Sequence, residues 1–285
     1  MLQETLTLLN VEFVQTALIA SALLGIVSGI MAPLIVLRQM SFSVHGTSEL
    51  ALMGAAAALL FGLNVGIGAV VGSVIAAIVL ALLGMTQQDS AVGVVMSFGM
   101  GLSVLFIHLY PGKSSTAFSL LTGQIVGVSG SSLWLLTGVV LVVVLTVVIL
   151  WRPLLFASAD PVIAAASGIN IRWVAILFAV LVGLTAAQSV QIVGALLVMA
   201  LLITPGAAAV QITSNPIMAV VWSLIFAETA AVGGLVLSLA PGLPVSVFVT
   251  SISFAIYLVC RFIGWRQGRV VHARAAHARE NCCAQ

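Results

Sequence analysis

Apolar runs long enough to cross a bilayer recur along almost the whole chain, the first at 13–37 and the last at 245–263. About 20 residues of helix span a hydrocarbon core roughly 30 Å thick. A water-soluble domain has no interior large enough to hide so many such runs, and a mean hydropathy of +1.31 with only 6% charged residues leaves little polar surface to cover them. Further runs lie at 50–63, 65–84, 91–109, 133–150, 173–188, 190–210 and 216–239. Backbone polar groups in lipid must be satisfied within the segment, and these runs read as helices. The expected fold class is all-α: a polytopic membrane bundle of about nine transmembrane helices, with eight to ten allowed. The open count comes from 118–129, where Gly123, Gln124 and Gly127 permit either a short re-entrant helix or an external loop.

The first run is read as a retained span rather than a leader, because Glu4 and Glu12 stand where a basic region belongs. Orientation follows from basic residues beside the spans. Arg261, Arg266, Arg269, Arg274 and Arg279 crowd the C-terminus, which predicts a cytoplasmic tail. Four spans earlier, the polar segment with Arg152 and Arg172 falls on the same side. Nine spans put Arg38 inside as well, whereas a tenth reverses it. The chain divides into a transmembrane domain over 1–263, with a cytoplasmic segment at about 153–171, and a basic tail over 264–285. The tail collects His272, His277, Cys282 and Cys283, at a spacing that matches no compact zinc site, and contact with anionic membrane lipid is its simpler role.

Within this apolar chain, His45 and Glu49 stand four residues apart near the start of a helix that continues through an alanine-rich stretch. That spacing sets both side chains on one face. Ionisable groups at membrane depth are functional by default, and an imidazole beside a carboxylate is a donor pair for a divalent cation. The alternative is a helix-end histidine and a carboxylate facing an aqueous vestibule. Glu228 is a second carboxylate at depth, in the run 216–239 among Ala227, Thr229, Ala230, Ala231, Gly233 and Gly234. Its small neighbours point it toward another helix. A charge at mid-bilayer costs about 2.5–3.5 kcal/mol on insertion scales, so Glu228 needs a proton, a hydrogen bond or a cation, and it is either a third metal residue or a structural one.

Nothing in the chain looks enzymatic: there is no Gly-x-Ser-x-Gly, no His-Glu-x-x-His and no Cys-x-x-Cys. Gly112-Lys113-Ser114 has the ending of a phosphate-binding loop without the glycine that loop needs at position 107, where Ile107 stands. Any ATP hydrolysis therefore belongs to a separate subunit. A net charge of +2 with no basic patch beyond the tail argues against nucleic acid as a partner. Gly25-x-x-x-Gly29 and Gly62-x-x-x-Gly66 offer small-residue helix contacts, and Pro205-Gly206 predicts a broken helix inside 199–210. Asp160-Pro161 followed by Gly168 has the opening and closing residues of a brief surface helix with Ala164 inside it.

Three segments together, Arg38-Gln39-Met40-Ser41-Phe42 through Gly54, Phe156 to Ile169 around Asp160-Pro161, and Val193 to Pro205, resemble the membrane permease subunits of the zinc/manganese family of ABC importers. That family usually carries an Asp and then a His at the positions held here by His45 and Glu49, so the pair is exchanged in order while the two donor types and the one-turn spacing are kept. The resemblance implies a homodimeric permease that passes Zn or Mn inward and holds no permanent cofactor. Its partners are cytoplasmic ATPase subunits and an extracytoplasmic metal-binding protein. It also implies a coupling helix at Asp160, Pro161, Ala164 and Gly168 that docks on the ATPase. Two other readings stay open: an ion-coupled secondary carrier without an ATPase, and a permease for a metal chelate.

Overall fold

The computed structural model describes residues 11–83, 88–112, 130–194, 197–239 and 245–283, with side chains of the last helix described as far as Arg266. The segment 118–129, Lys113-Ser114, Pro241 and Pro244 lie outside the described residues, as do the side chains of the four tail His and Cys residues. Twelve helices follow one another among the described residues: α1 (Glu12–Leu37), α2 (Ser41–Leu60), α3 (Val65–Leu83), α4 (Gln88–Leu109), α5 (Gly130–Ile149), α6 (Trp151–Ala159), α7 (Pro161–Ala166), α8 (Ile171–Val193), α9 (Val198–Leu202), α10 (Thr204–Ile212), α11 (Pro216–Leu239) and α12 (Val245–Cys283). The protein is an all-α membrane bundle. Six helices, α1, α4, α5, α8, α11 and α12, contain stretches long and apolar enough to cross a bilayer, and shorter apolar pieces lie in α3 and in α9–α10.

Of the six, α1 is the most deeply buried, with neighbours on every side: α5, α8, α9, α10 and α11. Its contact with α11 depends on the absence of side chains. A methyl at Gly25 would strike the Glu228 carboxylate and one at Gly29 would strike the Leu224 backbone, so the two helices run antiparallel and touch over Gly25-x-x-x-Gly29. The second motif behaves differently. Gly62 has φ +68° and ends the turn after α2, while Gly66, after the Asn64 cap of α3, lies beneath the Gln191 side chain. The close approach of α2 and α3 is made instead by Gly54 against Gly68 and Gly72. α4 closes over α2 at Gly99 and Leu50, and α8 packs on α3 at Gly183 and Ser73.

Two boundaries depart from the hydropathy runs. α8 passes through Gln188 and Ser189 without interruption and stops at Gly194, whose φ of +88° carries the chain out of the helix. The following apolar stretch is split into α9 and α10 at Ile203, and Pro205 sits in the first turn of α10, where its missing N–H is harmless. The break expected at Pro205-Gly206 is therefore present, at Ile203, two residues ahead of the proline. Gly206 then lets α10 approach the backbone of Ala32 and Pro33 in α1.

Candidate functional site

α1 and α2 are joined almost without a linker. The N–H of Met40 donates to the Ile35 carbonyl (3.1 Å) and that of Gln39 to Val36 (3.0 Å), closing α1 with Gln39 in the left-handed region at φ +55°. α2 begins at Ser41, and His45 and Glu49 follow on it one turn apart. Glu49 is only 7% exposed. The nearby hydroxyls do not serve the pair: Thr47 donates to the carbonyls of Ser43 (3.0 Å) and Val44 (2.9 Å), and Ser48 donates to that of His45 (2.7 Å). His45 Nδ1 is buried with no hydrogen-bond partner, and among the described residues no group hydrogen-bonds the Glu49 carboxylate. A buried polar atom left unsatisfied costs about 1–3 kcal/mol, and His45 Nδ1 bears that cost one turn from the Glu49 carboxylate.

The polar ends of several helices gather on one side of the bundle. Arg38 bonds to Ser158 just before α7; Leu37, Arg152, Ile169, Ser214 and Pro216 line one cavity; and Gly264 of α12 lies against the Gln211 carbonyl of α10. From that side, at 1.5 Å per residue, His45 lies about 6 Å and Glu49 about 12 Å along α2. Glu228 is about 18 Å along α11, near the middle of a 30 Å core.

Glu228 rests over Gly25 of α1, half-buried, with its Oε1 fully buried and unpartnered. The hydroxyls of Ser28 on α1 and Ser223 on α11 are likewise buried without a partner. The structure thus keeps His45 and Glu49 one turn apart on α2 and sets Glu228 on a different helix, at the contact of α11 with α1. No group of three or more His, Cys, Asp or Glu side chains close enough to hold a metal ion occurs among the described residues. One residue was not legible as a candidate. Gln188 on α8, which packs against α2, is 1% exposed with both ends of its amide unpartnered, yet in sequence it reads as a polar gap between two spans.

The polar segment folds by local rules. Asp160 Oδ1 accepts from the N–H groups of Val162 (2.9 Å) and Ile163 (3.0 Å), Pro161 fills the first helical position, and Gly168 (φ +84°) ends α7. The closing bonds run from Ile169 N–H to the Ala164 carbonyl and from Gly168 N–H to that of Ala165. Ala164 is fully buried against the chain's own bundle, while Val162 and Ile163 point outward, 77% and 53% exposed. Six residues of sequence are too few to show which of them turn outward.

Residues 10–264 match the ABC 3 transport family. The chain belongs to that family. Among its relatives, the manganese import system permease protein ScaB of Streptococcus parasanguinis is 32% identical over 275 residues, spanning 93% of this chain and 96% of the relative. The manganese transport system membrane protein MntC of Halalkalibacterium halodurans is 30% identical over 264 residues, covering 92% of this chain and 90% of the relative. The fold is similar to a chain of the solved structure of PsaBC from Streptococcus pneumoniae in complex with Fab, with a TM-score of 0.83, 29% identity, and coverage of 91% of this chain and 95% of that one. This ABC 3 family member is a multi-pass transport subunit, and it has the three segments on which the sequence resemblance rested.

Proposed function

We propose that this protein is the permease of an ATP-driven importer that moves a divalent transition metal, manganese or zinc, into the cell. The observation that carries the reading is the His45/Glu49 pair: a buried imidazole nitrogen without a partner, one turn from a buried Glu49 whose carboxylate no group among the described residues hydrogen-bonds. A nitrogen and an oxygen donor suit Mn²⁺ or Zn²⁺, and two protein ligands leave the ion free to depart. The relatives named as manganese permeases support the same cargo. Glu228 lines the route at a deeper level.

Two copies of the chain form the passage, served by two ATPase subunits on the cytoplasmic side and a metal-binding protein outside. The side bearing Arg38, Arg152, Arg172 and Arg261 is cytoplasmic by the positive-inside rule, which places the C-terminus there too. Asp160, Pro161 and Gly168 shape the coupling helix, Ala164 seats it on the bundle, and Val162 with Ile163 meets the ATPase. Uptake of radiolabelled manganese at limiting concentration, measured in cells producing His45→Ala or Glu49→Ala at wild-type levels, tests the proposal. Uptake is expected to fall at least tenfold in each. Wild-type uptake in both refutes the site.

A further inference from the structure

Arg38 was the first residue of a motif that the metal pair does not use, and the structure gives it three partners on two other helices. Its Nε donates to Ser158 Oγ (2.7 Å), its Nη2 donates to the Leu154 carbonyl (3.2 Å), and its guanidinium carbon lies 4.2 Å from the centre of the Phe178 ring. Ser158 and Leu154 belong to α6, and Phe178, fully buried, belongs to α8. Burial lowers the Arg38 pKa to about 10, which leaves it cationic at neutral pH. A planar fork that donates in two directions and stacks on a ring cannot be copied by lysine.

The position of this contact matters more than its strength. Asp160, which caps α7, is two residues beyond Ser158, and Ser41, which opens α2, is three residues beyond Arg38. The turn between α1 and α2 is closed by two backbone bonds through Gln39, a non-glycine residue held at φ +55°, so it has little slack. α6 also borders open space: Leu155, Phe156 and Ala159 share a cavity of about 930 Å³ with Leu37 of α1 and with Ser214, Pro216 and Ile217 at and just before the start of α11. A push on α7 therefore has a stiff route into α1 and α2 and a compliant one toward α11.

We propose that Arg38 is a positioning residue that transmits displacement of the coupling helix to α2, and so to His45 and Glu49. The inference rests on the importer reading, and its test separates the two. Permease, ATPase and binding protein are reconstituted in vesicles, and manganese uptake and ATP hydrolysis are measured in the same sample, with assembly checked by co-purification. Arg38→Gln and Ser158→Ala are expected to hydrolyse ATP within twofold of wild type while uptake per ATP falls at least fivefold. The double variant should be no worse than Arg38→Gln alone, because both act on one contact. A residue with a merely structural role would lower assembly and both rates together and leave their ratio unchanged. An unchanged ratio in Ser158→Ala, the milder substitution, together with an unchanged ratio in Arg38→Gln, overturns the inference. Wild-type vesicles that hydrolyse ATP yet accumulate no metal overturn the importer reading instead.

Discussion

Replacing Gly29 with alanine tests whether α1 and α11 are held by backbone contact. The added carbon would stand 2.6 Å from Leu224 Cα, 3.1 Å from Leu224 N and 3.2 Å from the Ser223 carbonyl oxygen. All three are main-chain atoms of α11, so no side chain can swing away, and the helices must part by roughly 0.8 Å to restore ordinary contact. Overpacking of this kind costs about 1–3 kcal/mol. Alanine returns up to about 1 kcal/mol through its higher helix propensity, leaving a net loss of about 0–2 kcal/mol. Gly138 on α5 is the control, since a methyl there meets nothing within 4 Å and only the propensity gain remains. Reversible unfolding in detergent is the assay, with the two alanine variants compared against wild type. The propensity gain cancels between the two variants, so the expected gap is the overpacking cost of about 1–3 kcal/mol, with Gly29→Ala the less stable. Equal stabilities, or a more stable Gly29→Ala, would refute the reasoning that this seam is main-chain packed.

Three further outcomes are expected. Gly25→Ala places its methyl 2.8 Å from Glu228 Oε1, the movable end of a side chain, so it should cost under about 1 kcal/mol yet alter manganese uptake by displacing that carboxylate; a large stability loss with unchanged uptake contradicts this. Glu228→Gln keeps the shape and removes the ionisable group, and should lower uptake at least fivefold with the unfolding midpoint unmoved, whereas wild-type uptake would remove Glu228 from the route. Asp160→Ala deprives Val162 and Ile163 N–H of their acceptor and should cost the cap about 1 kcal/mol, reducing stimulation of the ATPase while leaving metal binding intact; Asp160→Asn should restore it, and full stimulation in the alanine variant counts against α7 as the coupling helix.

Features governed by neighbours in sequence were legible. Asp160, Pro161 and Gly168 announced α7 because caps and turns obey local backbone rules, and the four-residue separation of His45 and Glu49 needed only a helix to set them one turn apart. Features set by distant packing were not. Gly25-x-x-x-Gly29 and Gly62-x-x-x-Gly66 have identical patterns, but only the first is a helix contact, since what separates them is the partner helix and a positive φ at Gly62. A hydropathy count ended a span at Gln188 because the residue is polar, whereas the helix continues and buries it. The partners of Arg38 lie more than a hundred positions away, where no periodicity reaches.

The central place of α1 has a consequence for how the chain is made. Gly25 leaves the ribosome early, but its mate Glu228 follows roughly 200 positions later. At typical elongation rates of 5–20 residues per second, that is a delay of about 10–40 s. Through this interval the innermost helix sits in the bilayer with the notched side at Gly25 and Gly29 uncovered. A nascent chain that stalls before α11 therefore presents a core helix with one side still uncovered to membrane proteases.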